Sequence, residues 1–291
     1  MNRIDYIELG ATLFMPAVHK DLEVIVSGKK YPNLKSVLID TEDGISAEEL
    51  YRSMANIETL LCDFKKSNCS VFIRPRDIKT LKELLAFENI DRIDGFILPK
   101  FSLSNANEYL DLLKDSSHCI MPSIEGEELF SQTKLFELRE ILIPIKEKVI
   151  LVRFGLEDML RQLKMRRGCD ESVFDISVTS TVVGNFIATF KSAGFAVSGG
   201  VYPCYKDSEG FKKDISRDLK EGLFSKTIIH PSQIDLANDS YKVSQKHFDE
   251  ALEICSSENA CFAQDSKMAE VATMSPWAQE IIKRAEVYGV Y

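Results

Sequence analysis

What most constrains this chain is a pattern that recurs along it. A short apolar run stops at a charged residue, a glycine or a proline, and a stretch with helical spacing follows. The runs end at Met15, Asp40, Arg74, Pro99, Glu125, Gly155, Val201 and His230. Eight strands alternating with helices predict a (β/α)8 TIM barrel of the α/β class, followed by a C-terminal extension or lid. A doubly wound open sheet is the competing architecture, but the first run, from Leu9 to Met15, lacks the glycine-rich phosphate turn that such sheets often carry. The count puts the barrel domain at residues 1–255 and an appendage at 256–291, with a helix from Pro276 to Glu286 in the appendage.

The segments between the runs fit. From Ala47 to Lys66, residues Leu50, Met54, Ile57, Leu60, Leu61 and Phe64 recur at helical spacing. In Arg74-Pro-Arg76 the proline forbids helix and ends a strand with a guanidinium at its tip. A hydrophobic share of 45% against 28% charged residues supplies the core such a domain requires.

Charge and cysteine usage narrow the function. A net charge of −9 and a pI of about 5.2 argue against nucleic acid and against a basic membrane-surface patch as partners. The seven cysteines are an odd number without a Cys-x-x-Cys pair, a pattern that suits reduced thiols rather than disulfides or zinc. Cys119 and Cys204, near strands and without a histidine partner in sequence, read as core. Charges occupy the N-terminus where a signal peptide needs an apolar core, and no apolar run approaches membrane-spanning length. The expected compartment is the cytoplasm.

In barrels of this kind, chemistry sits at the carboxyl ends of the strands. Asp40, Glu42, Asp43, Arg74, Arg76, Lys100, Glu125, Asp158 and His230 should therefore converge. Glu125 and Asp158 offer hard oxygen ligands from separate strands, a set that suits Mg2+ with open positions for a 2-oxo acid. Helix caps or salt-bridge partners are the other reading of the same two acids. The planar fork of Arg74 matches a substrate carboxylate, and an ion pair with Glu42 or Asp43 is its alternative. The Glu42/Asp43 patch is either part of the catalytic rim or a solvated turn in which Asp43 or Ser46 caps the next helix. His230 can act as acid or base, or hold backbone.

The ordered series Leu13-Phe-Met-Pro16, Leu38-Ile-Asp-Thr-Glu42-Asp43, Phe72-Ile-Arg74, Gly95-Phe-Ile-Leu-Pro99-Lys100, Ser123-Ile-Glu125, Phe154-Gly-Leu-Glu-Asp158 and Ile228-Ile-His-Pro-Ser-Gln-Ile234 resembles the citrate lyase beta-subunit-like branch of the HpcH/HpaI aldolase superfamily. The resemblance implies a homotrimer or a hexamer of trimers, with Mg2+ on Glu125 and Asp158. It implies that Arg74 grips the substrate carboxylate or carbonyl, and the convergence of strand ends sets Glu42, Asp43 and Lys100 beside it. The implied reaction is carbon–carbon cleavage or formation next to a carbonyl, in a small oxo or hydroxy acid or its thioester. In several relatives a C-terminal extension offers an acid to a neighbouring subunit. The matching stretch, Ser266-Lys-Met-Ala-Glu270, makes Glu270 an acid/base supplied in trans.

The chain departs from the pattern twice. Relatives that use CoA commonly carry an Arg-Ser pair before the first strand and basic residues after it. Gly10-Ala11 and Ala17-Val-His-Lys20 stand here, so a CoA thioester is only weakly implied. Arg76 replaces the usual asparagine, which suggests a substrate with a second anionic group. The alternatives to the lyase reading are therefore a phosphorylated or doubly anionic substrate without CoA, and a non-catalytic protein that binds a metabolite.

Overall fold

The computed structural model describes residues 4–291 and divides into two compact units, Met1–Ile234 and Asp235–Tyr291. The division falls before the boundary at 255 expected from the strand count.

The first unit is the barrel. Its strands are β1 (Thr12–Pro16), β2 (Ser36–Asp40), β3 (Ser70–Arg74), β4 (Gly95–Leu98), β5 (Cys119–Ile124), β6 (Arg153–Phe154) and β7 (Thr227–Ile228). All pair in parallel in the order β6-β5-β4-β3-β2-β1-β7. The expected run ending at Val201 forms no continuous strand. It completes the ring through two single bridges, Val152 to Val197 and Gly199 to Lys226, with Ser198 N donating to Val152 O at 3.0 Å. Eight positions are thus filled, the seventh by irregular backbone.

Residues paired across parallel strands share a face, as do residues two apart on one strand. Leu38 pairs with Phe72, Phe72 with Gly95, and Ile97 with Met121, so these side chains turn the same way. With Leu9, Ile150 and Leu151 they pack into one buried cluster. Truncating a buried phenylalanine such as Phe72 to alanine costs about 3–5 kcal/mol. One step further along the same face come Asp40, Arg74 and Ser123, the last paired with Arg153. The apolar plug therefore passes into a polar layer at the carboxyl ends of the strands.

Helices return the chain between strands, and their starts are written in the sequence. Asp77, next to Arg76, caps Ile78–Leu85 by accepting from Thr80 N at 2.7 Å, while Ser131 and Asp207 cap Gln132–Leu142 and Ser208–Lys220. Behind β7, Lys226 is buried between Asp214 at 2.8 Å and Asp218 at 2.5 Å, and Arg167 completes the network on Asp214 at 2.7 Å.

The cysteine expectation is corrected in this unit. Cys169 and Cys204 form a disulfide, with Cα atoms 5.9 Å apart, so Cys204 is neither a free thiol nor a simple core residue. Spacing of 35 residues gave no hint of their proximity. Cys119, on β5, is partly buried and lies outside that disulfide.

The second unit pairs helix Gln245–Ser256 with helix Val271–Tyr288 around Ala251, Ile254, Ala278, Ile281 and Ala285. The small alanines let the two backbones approach closely. The longer helix begins before Pro276, which lies inside it. A hairpin of β8 (Cys261–Gln264) and β9 (Lys267–Glu270) precedes it and turns through Asp265 and Ser266, with φ of 46° and 63°. Two left-handed residues are what a tight hairpin turn demands. Among the described residues, no helix is long and apolar enough to cross a membrane.

Candidate active site

The acids and bases singled out in the sequence meet as a chain of ion pairs. The Arg74 guanidinium pairs through Nε with Asp40, fully buried at the end of β2, and through Nη1 with Glu42 at 3.1 Å. Glu42 also takes the Lys100 ammonium at 2.6 Å, and Lys100 reaches Asp43 at 3.3 Å. Asp40 holds the loop that carries the acids, because its Oδ2 accepts from Gly44 N at 2.7 Å. Arg74 stacks over Phe14 at 5.2 Å from the ring centre. Burial works against the charge on Arg74, yet Asp40, Glu42 and Glu125 outweigh it and raise its pKa. Burial raises the Glu42 carboxyl, with Asp43 adding and Arg74 and Lys100 opposing.

Arg76 is placed differently from its neighbour. Its Nε donates to Thr41 O at 3.2 Å, and its Nη2 to Glu42 O at 3.1 Å and Ile45 O at 2.9 Å. These bonds brace the backbone of the acid loop.

Glu125 follows β5 and is 5% exposed, and its Oε2 has no hydrogen-bond partner among the described residues. Burial pushes its carboxyl up to about 7, Glu42 and Asp158 adding to the rise and Ser123 and Arg74 opposing it. Gly155, at the end of β6, makes room for it. Asp158 lies in the first turn of helix Leu156–Gln162 and accepts from Arg161 Nη2 at 2.8 Å, an exposed i,i+3 pair. Both the salt-bridge reading and an open carboxylate oxygen are compatible with that geometry.

Two residues escaped the sequence reading. Gln162 donates from Nε2 to Glu125 O at 2.7 Å and to Asp158 O at 3.2 Å, tying together the backbones that carry both acids. Its only sequence signal was a position four residues after Asp158. Arg153 is 6% exposed and donates from Nη2 to the Thr227 hydroxyl, while its Nη1 has no partner among the described residues. Burial and the nearby Arg74 charge lower it to about 10, with Glu125 opposing. A lone cation inside Val149-Ile-Leu-Val-Arg153-Phe was the available clue.

His230 is exposed, stacked on Tyr205 at 4.5 Å, and its Nδ1 meets the Ser232 hydroxyl at 2.8 Å. Glu270 closes β9 in the second unit and precedes helix Val271–Tyr288, with the Thr273 hydroxyl 3.2 Å from its carbonyl.

A metal fits this donor set on one condition. Among the described residues, no group of three or more His, Cys, Asp or Glu side chains gathers into a metal cage. Two carboxylates with the rest of the shell left to water and substrate is the coordination style of Mg2+. The buried, unpartnered Oε2 of Glu125 is the kind of atom such an ion would satisfy.

Fold and site together define a TIM-barrel enzyme with an acid- and arginine-lined rim. The chain belongs to the family described as C-C_Bond_Lyase of the TIM-Barrel fold, which it matches over residues 3–290, and it is a carbon–carbon lyase of the citrate lyase beta-subunit-like branch. It is 21% identical to a (3S)-malyl-CoA thioesterase of Cereibacter sphaeroides over 72% of this chain and 70% of that protein. It is 24% identical to the citrate lyase subunit beta of Escherichia coli K12 over 50% of this chain and 48% of that one. CitE of Mycobacterium tuberculosis, solved with magnesium, acetoacetate and coenzyme A, superposes with a TM-score of 0.71 at 17% identity, covering 97% of this chain and 99% of that one. A citrate lyase of Burkholderia xenovorans LB400 reaches 0.74 at 16% identity, covering 97% and 93%.

Proposed function

We propose that this lyase cleaves or forms the carbon–carbon bond next to the carbonyl of a small oxo or hydroxy acid, with Mg2+ held by Glu125 and Asp158. The observation that carries the reading is the buried Glu125 carboxylate, unpartnered at Oε2, beside the Arg74–Glu42–Lys100 chain. The ion would supply Lewis-acid stabilisation of the enolate that forms as the bond breaks.

The protein's own groups do the rest. Arg74, rigidified by Asp40 and Glu42, orients the substrate carboxylate. Lys100 neutralises Glu42 and keeps the acid loop from repelling an anionic substrate. Glu42 and Asp43 take part as rim acids beside the reacting carbon, and Glu270, from the C-terminal extension acting as a lid over a neighbouring barrel, moves the proton.

The rest of the reading is a homotrimer or a hexamer of trimers in the cytoplasm, without nucleic acid or membrane as partners. A CoA thioester is the less favoured form of the substrate, because Gly10-Ala11 stands where relatives that use CoA carry Arg-Ser. Calorimetric titration of Mg2+ into the purified chain, followed by turnover assays on 2-oxo acids and their thioesters, tests it. Absence of Mg2+ binding in the wild type would falsify the metal assignment.

A further inference from the structure

The buried cations of the barrel unit differ in one respect. Arg74 sits on Asp40 and Glu42, Arg167 on Asp214, and Lys226 on Asp214 and Asp218. Arg153 is as buried as these and has no ion pair among the described residues. Its Nη2 donates to the neutral hydroxyl of Thr227, and Nη1 is left without a partner among the described residues. Burying a cation without a counter-charge is strongly unfavourable, and an apolar side chain of similar length would fill the space without that penalty.

Position gives the charge a purpose. The register pairs Arg153 with Ser123, which lies two residues before Glu125 and opposes the rise of its carboxyl, so Arg153 belongs to the polar layer from which Glu125 rises. Thr227 pairs with Thr12, whose hydroxyl meets that of Ser36 at 2.9 Å, so the surroundings are hydroxyls rather than acids. The Arg74 and Glu125 charges both act on Arg153, which sets it in the same electrostatic neighbourhood. Arg76, the strand-end candidate for a second anion, places Nε and Nη2 on the carbonyls of Thr41, Glu42 and Ile45.

We infer that Arg153 is a second anion donor inside the barrel, binding through Nη1 a further anionic oxygen of the substrate, from a carboxylate or a phosphate, while Arg74 holds the first. The inference rests on the lyase reading above and adds to it a specificity-determining residue. A ligand oxyanion satisfies the orphaned donor and supplies the missing counter-charge in one contact. A substrate with a single carboxylate leaves Arg153 as it is.

The test compares full-length wild type, Arg153→Met and Arg153→Lys in Mg2+ buffer, with binding measured by calorimetry for pyruvate, oxaloacetate and phosphoenolpyruvate. In Arg153→Met the preferred dianion is expected to bind roughly ten- to a hundredfold more weakly, as loss of a hydrogen bond to a charged group predicts, and pyruvate to change by less than about twofold. Arg153→Lys, which keeps the charge, should recover part of the loss. Whichever of oxaloacetate and phosphoenolpyruvate suffers more identifies carboxylate or phosphate. Should Arg153→Met not fold, Arg153→Gln, which keeps a donor for Thr227, is read in the same way. Equal weakening of all three ligands, or of none, overturns the role of Arg153 and leaves the lyase reading standing. A wild type that binds Mg2+ but none of the three overturns both.

Discussion

Gly155 lies so close under the Glu125 side chain that a Cβ added to it would stand 2.3 Å from the Glu125 Cγ and 2.9 Å from its Cβ. The backbones are held together at the same point, Gly155 N donating to Ile124 O at 3.1 Å. Neither side can retreat without opening the β5–β6 edge. Gly155→Ala is therefore expected to turn the Glu125 carboxylate out of place, destabilising the fold by about 1–3 kcal/mol as overpacking does. Turnover should fall at least tenfold, by order of magnitude, because an ångström of misplacement is enough for that. A Gly155→Ala enzyme with wild-type Mg2+ affinity and turnover would show that Glu125 is not the group being positioned.

The acid on the next strand end is only half free. Asp158 accepts from Arg161, which is exposed and one turn away. Such a surface pair contributes about 0–1 kcal/mol, so releasing it should not harm the fold. Asp158→Ala is expected to abolish Mg2+ binding and activity together. Arg161→Ala should leave Mg2+ affinity unchanged or raise it severalfold. Should Asp158→Ala still bind Mg2+ and turn over normally, the metal assignment fails.

Glu125 also makes stability depend on pH. Its carboxyl is raised by burial from an ordinary 4.5 to about 7, so the folded chain keeps a proton that the unfolded chain releases. The stability this contributes is complete below pH 4.5, falls as pH rises between the two values and is lost above about 7. In metal-free buffer the melting temperature should decline across that window, by an amount worth at most about 3 kcal/mol. Glu125→Gln carries no titrating proton there and should melt with a flatter profile. Superimposable profiles for the two proteins would remove Glu125 as the cause.

Arg76 separates two roles. As a brace for the Thr41–Ile45 backbone it should matter to every substrate alike, and Arg76→Asn should lower kcat/KM for monoanions and dianions by similar factors, with a loss of about 1–3 kcal/mol in stability for the unpaired carbonyls. As a substrate clamp it should affect dianions alone. The ratio of the two losses decides between them.

Much of the scaffold was legible because a barrel repeats. Each apolar run that ended in Asp40, Arg74 or Glu125 announced both a strand and a rim residue, and the structure lays β2, β3 and β5 on those runs. The seventh run was harder, since Gly199, Gly200 and Pro203 cut the ladder down to single bridges. Partnerships that depend on distant contacts were out of reach. An odd number of cysteines suggested thiols, whereas proximity of two loops made a bond between Cys169 and Cys204. Arg76 read as a substrate contact from its place after a strand end, and its bonds to carbonyls of another loop add a bracing role that spacing could not show. Arg153 was hidden by the apolar residues around it.

The irregular seventh position has a consequence for how the barrel opens. Six of the ring's eight contacts are parallel ladders, while the segment at Val197 and Gly199 holds on through one bridge on each side. Amide exchange should therefore begin at 196–200, and parting there leaves a curled open sheet with its remaining ladders intact. Cys169 and Cys204 bracket that seam, so a protease cut in helix Ser177–Lys191 releases no fragment until the bond is reduced.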